Sequence, residues 1–496
     1  MKAVITRRQF VHEMVFTVAA LYGRSANLLA GERRIFGAFE QSTPPLDAAA
    51  IRKLASGIAG HVITPEAPDY ESSRLVNNRA YDRHPALIVH CVSASDVVRI
   101  LDFAQRQSLP LAVRAGGHSA AGYGVCDGGV VIDLSGMKRV EVDAHKRVAR
   151  ADAGCLVGDL DQATQRFGLA TPMGTCPTVG IAGLTLGGGE GTLMPKYGAT
   201  CDNLISARVV TVDGGQVEAS QNSNADLFWA IRGGGGNFGV VTAFEYQLHP
   251  VSEVLAGALI CPAVRIAEML HAYVKFTGSA PDELSSVCQL LPSDGRPRFQ
   301  MGVAYYGQPS LGNDLLRPLR AQLKPQEDRV KTMSHLDAQR MWFPPAAAKP
   351  SGYFVANLFL SELSEAAIEA ITAAAQDAPQ RFWVLIGNFH GAVTRVHLSD
   401  TAFALRECGY EVDVSSNWNA LEEKASAVRW VTALRDKLQP FSHGLYVNGL
   451  SETSEELVRA AYGPNYARLV QIKKTYDPAN VLRLNQNIKP SMVSNN

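Results

Sequence analysis

The sequence predicts an α+β protein of two domains, and three observations lead to this prediction. The chain has 496 residues, which is more than one hydrophobic core usually serves. Its composition, 46% hydrophobic with 43 glycines and 25 prolines, is typical of a globular, loop-rich protein. Up to about residue 250, strand and helix patterns alternate, first as one βαβ unit and then as short strands. This order favours a mixed sheet over a doubly wound one.

The βαβ unit is predicted from apolar patterning. Residues 86–90 form an apolar run typical of a buried strand, and a helix begins at Ser95 with apolar residues at helical spacing. Residues 111–114 form the second strand, which ends at two glycines, and residues 130–134 form the third. Short strands continue to about residue 153.

Charge and cysteine usage exclude several classes of protein. The 47 basic and 47 acidic residues give zero net charge, so neither nucleic acid nor an anionic membrane is expected as a partner. No stretch after the N-terminus reaches the ~18 apolar residues of a membrane span, and we expect a soluble mature protein. The eight cysteines occur singly without metal-ligand spacing, which predicts no metal site and leaves a disulfide between an unassigned pair open.

The N-terminus resembles a twin-arginine export signal. Residues 6–11 read T-R-R-Q-F-V and precede the mainly apolar stretch 14–22. We therefore assign residues 1–35 to a signal or N-terminal arm and expect the protein to use the export machinery and to be periplasmic or secreted. The alternative is a cytoplasmic protein with an ordinary N-terminal arm. The sequence predicts no particular oligomeric state.

Two glycine-rich segments frame the most informative residues, His118 and Cys176. Residues 113–119 read V-R-A-G-G-H-S and residues 174–180 read G-T-C-P-T-V-G. Glycines after a strand let backbone N–H groups approach a phosphate closely. A histidine can attack the 8α-methyl carbon of an isoalloxazine ring, and a thiolate can add at its C6 edge. Together the two residues predict a covalently bound flavin.

A third glycine run, residues 233–239, contains G-x-G-x-x-G. A dinucleotide fingerprint requires a strand before this motif and a helix after it. Here the predicted order is reversed, with a helix at 224–231 and a strand at 240–246, so we reject that interpretation.

With the C-terminal run Y-D-P-A-N-V-L-R-L-N-Q-N-I, these segments are similar, in order, to the berberine bridge enzyme-like flavin oxidases of the vanillyl-alcohol oxidase superfamily. The resemblance covers residues 75–490. It implies a bipartite FAD-binding domain, residues 36–251, completed by a return segment at 451–490. It also implies a substrate domain at 252–450, in which helices cover an antiparallel β-sheet. Apolar patterns in the substrate domain agree, predicting strands at 286–291, 299–305, 382–386, 411–415 and 444–447 and helices at 365–375 and 421–438.

The resemblance implies FAD bound covalently through His118 and Cys176. It also implies further cofactor-binding residues from each motif. These are Arg114, Ala115, Gly116, Gly117, Ser119, Gly180, Gly183, Gly187, Gly188, Val240, Asn485 and Asn487.

Three residues receive catalytic roles from the same resemblance. Val179 corresponds to a position where valine leaves room for oxygen beside the flavin. Tyr446, in Y-x-N, corresponds to a tyrosine that often acts as the base, although a tyrosine pKa near ~10 requires lowering or a concerted transfer. Asp413 is expected to hydrogen bond or to act as an alternative base. The alternatives to these catalytic roles are that Val179 and Tyr446 are ordinary core residues and that Asp413 is a solvated aspartate.

The implied activity is hydride transfer from an alcohol or a sugar-type hydroxyl to FAD, which O2 reoxidises to give H2O2. The alternatives are an oxidase of an amine, an alkaloid-like compound or another secondary metabolite, and a dehydrogenase with another acceptor. A flavin-binding protein without turnover is the remaining class. Aromatic residues near the predicted pocket include Tyr123, Tyr305, Tyr306, Trp342, Phe354 and Trp418.

Overall fold

The computed structural model describes residues 46–262, 265–293, 297–342, 350–452 and 454–490. The predicted export segment, residues 1–35, lies outside them. From Arg52 onward the chain forms one compact unit. No helix in the described ranges is long and apolar enough to cross a bilayer.

The strands are numbered here in chain order. They are β1 His61–Ile63, β2 Leu87–His90, β3 Leu111–Arg114, β4 Val130–Asp133, β5 Val140–Asp143, β6 Val148–Asp152, β7 Leu169–Ala170, β8 Leu204–Val210, β9 Gln216–Ser220, β10 Val240–Gln247, β11 His249–Pro250, β12 Glu253–Pro262, β13 Leu284–Leu291, β14 Arg298–Tyr305, β15 Glu327–Asp328, β16 Lys331–Ser334, β17 Gly352–Leu360, β18 Phe382–Asn388, β19 Tyr410–Trp418 and β20 Ser442–Gly444.

The helices lie before β1, between the strands and after β20. They span Ala48–Gly57, Tyr70–Ser73, Ala94–Arg106, Val157–Gln165, Ile181–Leu186, Met194–Tyr197, Ala225–Ala230, Ile266–Thr277, Pro309–Leu323, His335–Met341, Glu365–Gln376, Ala392–Arg395, Leu421–Leu438, Glu455–Tyr462 and Tyr466–Tyr476.

The first sheet has the order β1-β2-β4-β3, in which β2, β4 and β3 are parallel and β1 is antiparallel. This confirms the predicted mixed sheet. The helix between β2 and β3 begins after Ser93, whose hydroxyl accepts from the N–H of Asp96 while the Asp96 carboxylate accepts from the N–H of Ser93. After β3 the chain turns through Gly117 at φ +68, a conformation that favours glycine. This turn places His118 at the end of a buried strand.

The second sheet is antiparallel, with the order β5-β6-β10-β8-β9. The glycine run 233–239 connects the helix Ala225–Ala230 to β10. The observed order of helix, glycine run and strand agrees with the predicted order, which is the reverse of the order that a dinucleotide fingerprint requires.

The third sheet has nine antiparallel strands, β12 to β20, and lies within the segment predicted as the substrate domain. The helix Leu421–Leu438 packs on β17 and β19. Val412 and Val414 of β19 are fully buried, whereas the alternate residues Glu411 and Asp413 line a cavity. Since side chains alternate across a strand, one face of the sheet packs in the core and the other forms a cavity wall.

One predicted strand is wrong at its end. The pattern at 444–447 predicts a strand, but β20 stops at Gly444 and a 3-10 turn spans Val447–Gly449. The N–H of Tyr446 donates at 3.2 Å to the side-chain oxygen of Asn357 on β17, and not to a backbone carbonyl of that strand. This side-chain contact ends the pairing and directs Tyr446 toward the glycine run 187–189.

The C-terminal segment is held by a fully buried ion pair. Lys473 Nζ lies 2.6 Å from Asp477 Oδ2, and both side chains have 0% exposure. The same ammonium donates to the carbonyl oxygens of Asn237 at 2.8 Å and Leu482 at 3.0 Å. These bonds fasten the return segment to the glycine run 233–239 and bring residues 482–486 to the cavity.

Candidate active site

A cavity of about 520 Å³ lies where the glycine segments, the return segment and the third sheet meet. It collects most of the residues that the sequence predicted for the site. The predicted residues that line it are Arg114, Ala115, Gly116, Gly117, His118, Ser119, Cys176, Val179, Gly180, Gly183, Val240, Asp413, Tyr446 and Asn485.

Three predicted cofactor-binding residues do not line this cavity: Gly187, Gly188 and Asn487. A Cβ on Gly187 would lie 2.3 Å from the side-chain nitrogen of Asn448, and one on Gly188 would lie 2.4 Å from the ring of Phe403. Gly187 and Gly188 therefore lack a side chain because Asn448 and Phe403 pack closely against them behind the cavity wall. Contact of these three residues with a cofactor stays a prediction.

His118 and Cys176 meet through a residue that the sequence analysis did not single out. Thr178 Oγ1 lies 3.0 Å from Nε2 of His118 and 3.3 Å from Sγ of Cys176. All eight cysteines are free thiols, and Cys176 is one of the two that are not fully buried. The two residues predicted to link the flavin therefore lie on the same part of the cavity wall.

Backbone contact between the two glycine segments produces this arrangement. A Cβ added to Gly116 would lie 2.3 Å from the nitrogen of Gly180, and one added to Gly180 would lie 2.4 Å from the nitrogen of Gly116. Neither position tolerates a side chain. At Gly183 and Gly236, by contrast, an added Cβ would meet no atom within 4 Å, so bare backbone faces the cavity there.

The cavity wall also presents polar atoms without partners. Arg114 Nη1 and Asn485 Oδ1 are buried and have no hydrogen-bond partner among the described residues. Arg114 is oriented by an ion pair with Asp133. Glycine backbone for a flat ring, unpaired polar atoms for phosphate or sugar oxygens, and two adjacent nucleophiles together fit FAD.

The third sheet contributes carboxyl groups to the cavity. Asn357 of β17 is paired across the strands with Asp413 of β19, and Glu411 lies two residues away on the same face. The Asn357 amide donates to Glu411 Oε1 at 2.7 Å and to Asp413 Oδ1 at 2.6 Å. Glu411 was missed by the sequence analysis, although its spacing from Asp413 places the two on one face of the predicted strand.

Glu190 completes this group from the FAD-binding side. It follows the glycine run 187–189, lines the cavity, and its carboxyl group hydrogen bonds that of Glu411. We name Glu190, Glu411 and Asp413 the acidic wall. No sequence pattern marked Glu190, because its approach to β19 arises only from the tertiary fold.

The acidic wall titrates far from ordinary carboxyl values. Burial, then the charge of Glu411, raises the pKa of Asp413 to about 8. Burial also raises the pKa of Glu411, and burial together with Glu411 raises that of Glu190 most strongly. Because neighbouring carboxylates resist double ionisation, the charge of one member of the acidic wall raises the pKa of the others.

Tyr446 lies beside the acidic wall. Its phenol oxygen accepts hydrogen bonds from the N–H of Gly189 and the side-chain amide of Asn448, both at 3.1 Å. Burial, and next the charge of Glu190, nevertheless raises the pKa of Tyr446 well above its ordinary value. That direction is opposite to the lowering which a tyrosine base requires.

Of the six aromatic residues named from the sequence, Tyr123 lines the cavity. The other five do not, and a ring that the sequence analysis did not name, Tyr353 of β17, does so instead. Burial raises the Tyr353 pKa to about 12.

Two parts of the chain match known protein families. Residues 85–220 match the family described as FAD binding domain, and residues 445–489 match the family described as berberine and berberine like. The FAD-linked oxidoreductase YgaK of Bacillus subtilis is 32% identical over 440 residues, which cover 87% of this chain and 97% of that protein. The (R)-6-hydroxynicotine oxidase of Paenarthrobacter nicotinovorans is 31% identical and covers 88% of this chain and 99% of its own length.

Solved structures agree with these relatives. The crystal structure of 6-hydroxy-D-nicotine oxidase from Arthrobacter nicotinovorans superposes with a TM-score of 0.80 at 28% identity, covering 88% of this chain and 98% of that one. Fold, cavity and relatives together define an FAD-linked oxidoreductase. The chain belongs to the berberine bridge enzyme-like family, and its structural neighbours are oxidases of the vanillyl-alcohol oxidase type with a two-domain arrangement.

Proposed function

We propose that the protein is an oxidase that holds its FAD through two covalent bonds, one from His118 and one from Cys176. The contact of Thr178 with both side chains is the observation that carries this proposal. It places an imidazole and a thiol side by side on a wall of glycine backbone. Two attachments fix the ring even when the substrate side of the cavity is open.

The bound FAD supplies hydride acceptance from the substrate and electron transfer to O2, which yields H2O2. Val179 supports the oxidase assignment over a dehydrogenase. It lines the cavity three residues after Cys176, and its short side chain leaves space that a leucine would fill. The backbone holds it, because the carbonyl of Val179 accepts from the N–H of Val157 at 2.9 Å.

Asp413 is the proposed base. A general base works best when its pKa lies near the working pH, and that of Asp413 is raised to about 8. Tyr446 keeps its proton, since its pKa is raised well above the ordinary value. Its oxygen already accepts two hydrogen bonds, so its own O–H is available to donate to a substrate oxygen or nitrogen.

The substrate is a small molecule with a hydrogen on the carbon that bears a hydroxyl or an amine. An alcohol or sugar-type hydroxyl is the first candidate. The acidic wall favours the second candidate, an amine, and the relative named (R)-6-hydroxynicotine oxidase supports it. A peroxide-coupled screen of sugars, alcohols and cyclic amines distinguishes the candidates, and an enzyme with acid-stable flavin but no peroxide from any class would contradict the oxidase.

Export is proposed on the motif at residues 6–11, which predicts a protein that folds around FAD in the cytoplasm and is then carried out. Cell fractionation tests this. Periplasmic or secreted protein that becomes cytoplasmic in Arg7→Lys/Arg8→Lys supports export, whereas wild-type protein wholly in the cytoplasm with Met1 intact contradicts it.

A further inference from the structure

We infer that two buried amide side chains are positioning residues for the flavin linkage, Asn78 for His118 and Gln339 for Cys176. This inference deepens the proposed function and rests on it, because it assumes that FAD is attached at both residues. We name residues 117–120 the histidine turn and residues 174–179 the cysteine loop. Each amide bonds the backbone of one of these two segments to a part of the chain that is distant in sequence.

Asn78 holds the histidine turn. It is 1% exposed, and its amide nitrogen donates to the carbonyl oxygens of Ala120 at 2.9 Å and of Tyr353 at 3.0 Å. Its amide oxygen accepts from the N–H groups of Ala80 and Tyr353, both at 3.2 Å. An asparagine amide has two donor hydrogens and two acceptor lone pairs, so all four positions are filled. The side chain therefore fastens the turn to β17.

A backbone contact holds the other end of the histidine turn. The N–H of Asn77 donates to the carbonyl oxygen of Gly117 at 2.9 Å. The turn lies outside the helices and strands, so no strand ladder sets its direction. His118 lies between the two carbonyls that residues 77 and 78 bind, and loss of the Asn78 amide frees one end of the turn.

Gln339 holds the cysteine loop. It is buried on the helix His335–Met341, and its amide nitrogen donates to the carbonyl oxygen of Gly174 at 3.2 Å and to Asp161 Oδ2 at 3.4 Å. Its amide oxygen accepts from the hydroxyl of Thr192 at 3.3 Å. The donor end of the amide therefore faces the loop, and a hydroxyl on the opposite side fixes this orientation.

Asp161 connects the same amide to the other end of the cysteine loop. It lies on the helix that begins at Val157. The N–H of Gly158, in the first turn of that helix, donates to the carbonyl oxygen of Pro177 at 3.0 Å. The glutamine amide thus bonds both to the start of the loop and to the helix that holds its end. Cys176 lies between these two anchors.

Each attachment depends on alignment because a side-chain atom must bond to one particular carbon of the flavin. One N–H or S–H bond and one C–H bond break, one N–C or S–C bond forms, and two protons and two electrons pass to O2, giving H2O2. Reacting atoms must be held close together and in the right direction for such a step. Loss of an amide should therefore affect the bond that forms from the segment it holds.

Peptide mapping of the purified holoenzyme by mass spectrometry tests the inference, because it measures each bond separately. Gln339→Met keeps the length of the side chain without its amide. It should lower the ratio of linked to unlinked Cys176 peptide about two- to tenfold and leave the bond at His118 at the wild-type level. Asn78→Ala should have the opposite effect. General destabilisation would lower both bonds together, so the opposite patterns identify positioning.

Asn465→Ala is the matched control. Asn465 is buried, and its amide donates to carbonyl oxygens within residues 398–402, none of which lies in the histidine turn or the cysteine loop. This variant should leave both bonds at the wild-type level. If Asn78→Ala does not fold, Asn78→Asp, which keeps the shape but loses the amide hydrogens, takes its place. Equal loss of both bonds, or no loss of either, in the Asn78 and Gln339 variants would overturn the inference.

The wild-type map separates this inference from the proposed function. Both bonds in the wild type without selective loss in the variants overturn the inference alone. If the wild type lacks one bond or both, the bicovalent proposal fails, and amide hydrogen exchange of the same proteins still tests the positioning. Gln339→Met should then raise exchange in the cysteine loop only, and Asn78→Ala in the histidine turn only. Exchange equal to the wild type in both segments would overturn the inference.

Discussion

The hydroxyl of Thr178 lies 3.0 Å from Nε2 of His118, across a contact between two chain segments 60 residues apart. The same hydroxyl is 3.3 Å from Sγ of Cys176. One small polar side chain therefore aligns the two residues on which the proposed flavin linkage depends.

Thr178→Val should lower the fraction of protein that carries both flavin bonds by roughly two- to tenfold, because one hydrogen bond contributes about 0.5–1.5 kcal/mol. Peptide mapping by mass spectrometry measures each bond separately. Thr178→Ser, which keeps the hydroxyl, should resemble the wild type. Equal linkage in the valine and serine variants would show that the contact has no part in attachment.

Asp413→Asn should slow anaerobic flavin reduction by about 10²- to 10⁴-fold, the range for loss of a general base. In the wild type, the reduction rate should rise as the pH increases through about 8, because Asp413 must be ionised to accept a proton and its pKa is raised. The asparagine variant should lose this dependence. Stopped-flow absorbance measures both.

Tyr446→Phe decides between the two candidate bases. If Tyr446 acts as a donor, its loss should cost less than that of Asp413, and the pH dependence should remain. A larger loss for Tyr446→Phe, together with a rate in Asp413→Asn that matches the wild type, would return the base role to the tyrosine.

Val179→Leu should slow reoxidation of the reduced enzyme by O2 while leaving anaerobic reduction unchanged, because added side-chain volume fills space at the cavity wall. Mixing the reduced enzyme with aerated buffer measures the rate. Val179→Ala is the control and should reoxidise at least as fast as wild type. An unchanged reoxidation rate in Val179→Leu would contradict the proposal that residue 179 leaves room for O2 beside the flavin.

Asp477→Asn should destabilise the protein by about 3–5 kcal/mol, since it leaves the ammonium of Lys473 buried without its partner. Urea denaturation at neutral pH measures the free energy of unfolding. Glu455→Gln removes the shared partner of two exposed ion pairs, with Arg459 and with Lys489, and should cause no measurable change. Similar stability in both variants would contradict the role of the buried pair.

Local patterns predicted much of the fold. The helix 421–438 has its predicted bounds, and β18 and β19 extend their predicted segments by a few residues. The predicted strand at 444–447 failed because the Asn357 side chain, distant in sequence, takes the N–H of Tyr446. Such a contact leaves no trace in local periodicity.

For the site, as for the fold, local sequence motifs predicted some residues, and contacts between distant parts of the chain determined the others. The glycine-rich motifs identified His118 and Cys176 as candidate flavin-linking residues, because each motif lies within one short segment of the chain. Glu190 and Thr178 owe their roles to contacts with residues far along the chain, and only the fold brings those together. Asp413 was named, but the direction of its pKa shift required the burial and the neighbouring Glu411 that the fold supplies.

Acid precipitation tests the central claim most directly. The washed pellet of denatured wild-type protein should retain flavin absorbance, and peptide mapping should find flavin attached at both His118 and Cys176. His118→Ala/Cys176→Ala should release the colour into the supernatant. A colourless wild-type pellet would contradict the proposal that this protein carries bicovalent FAD.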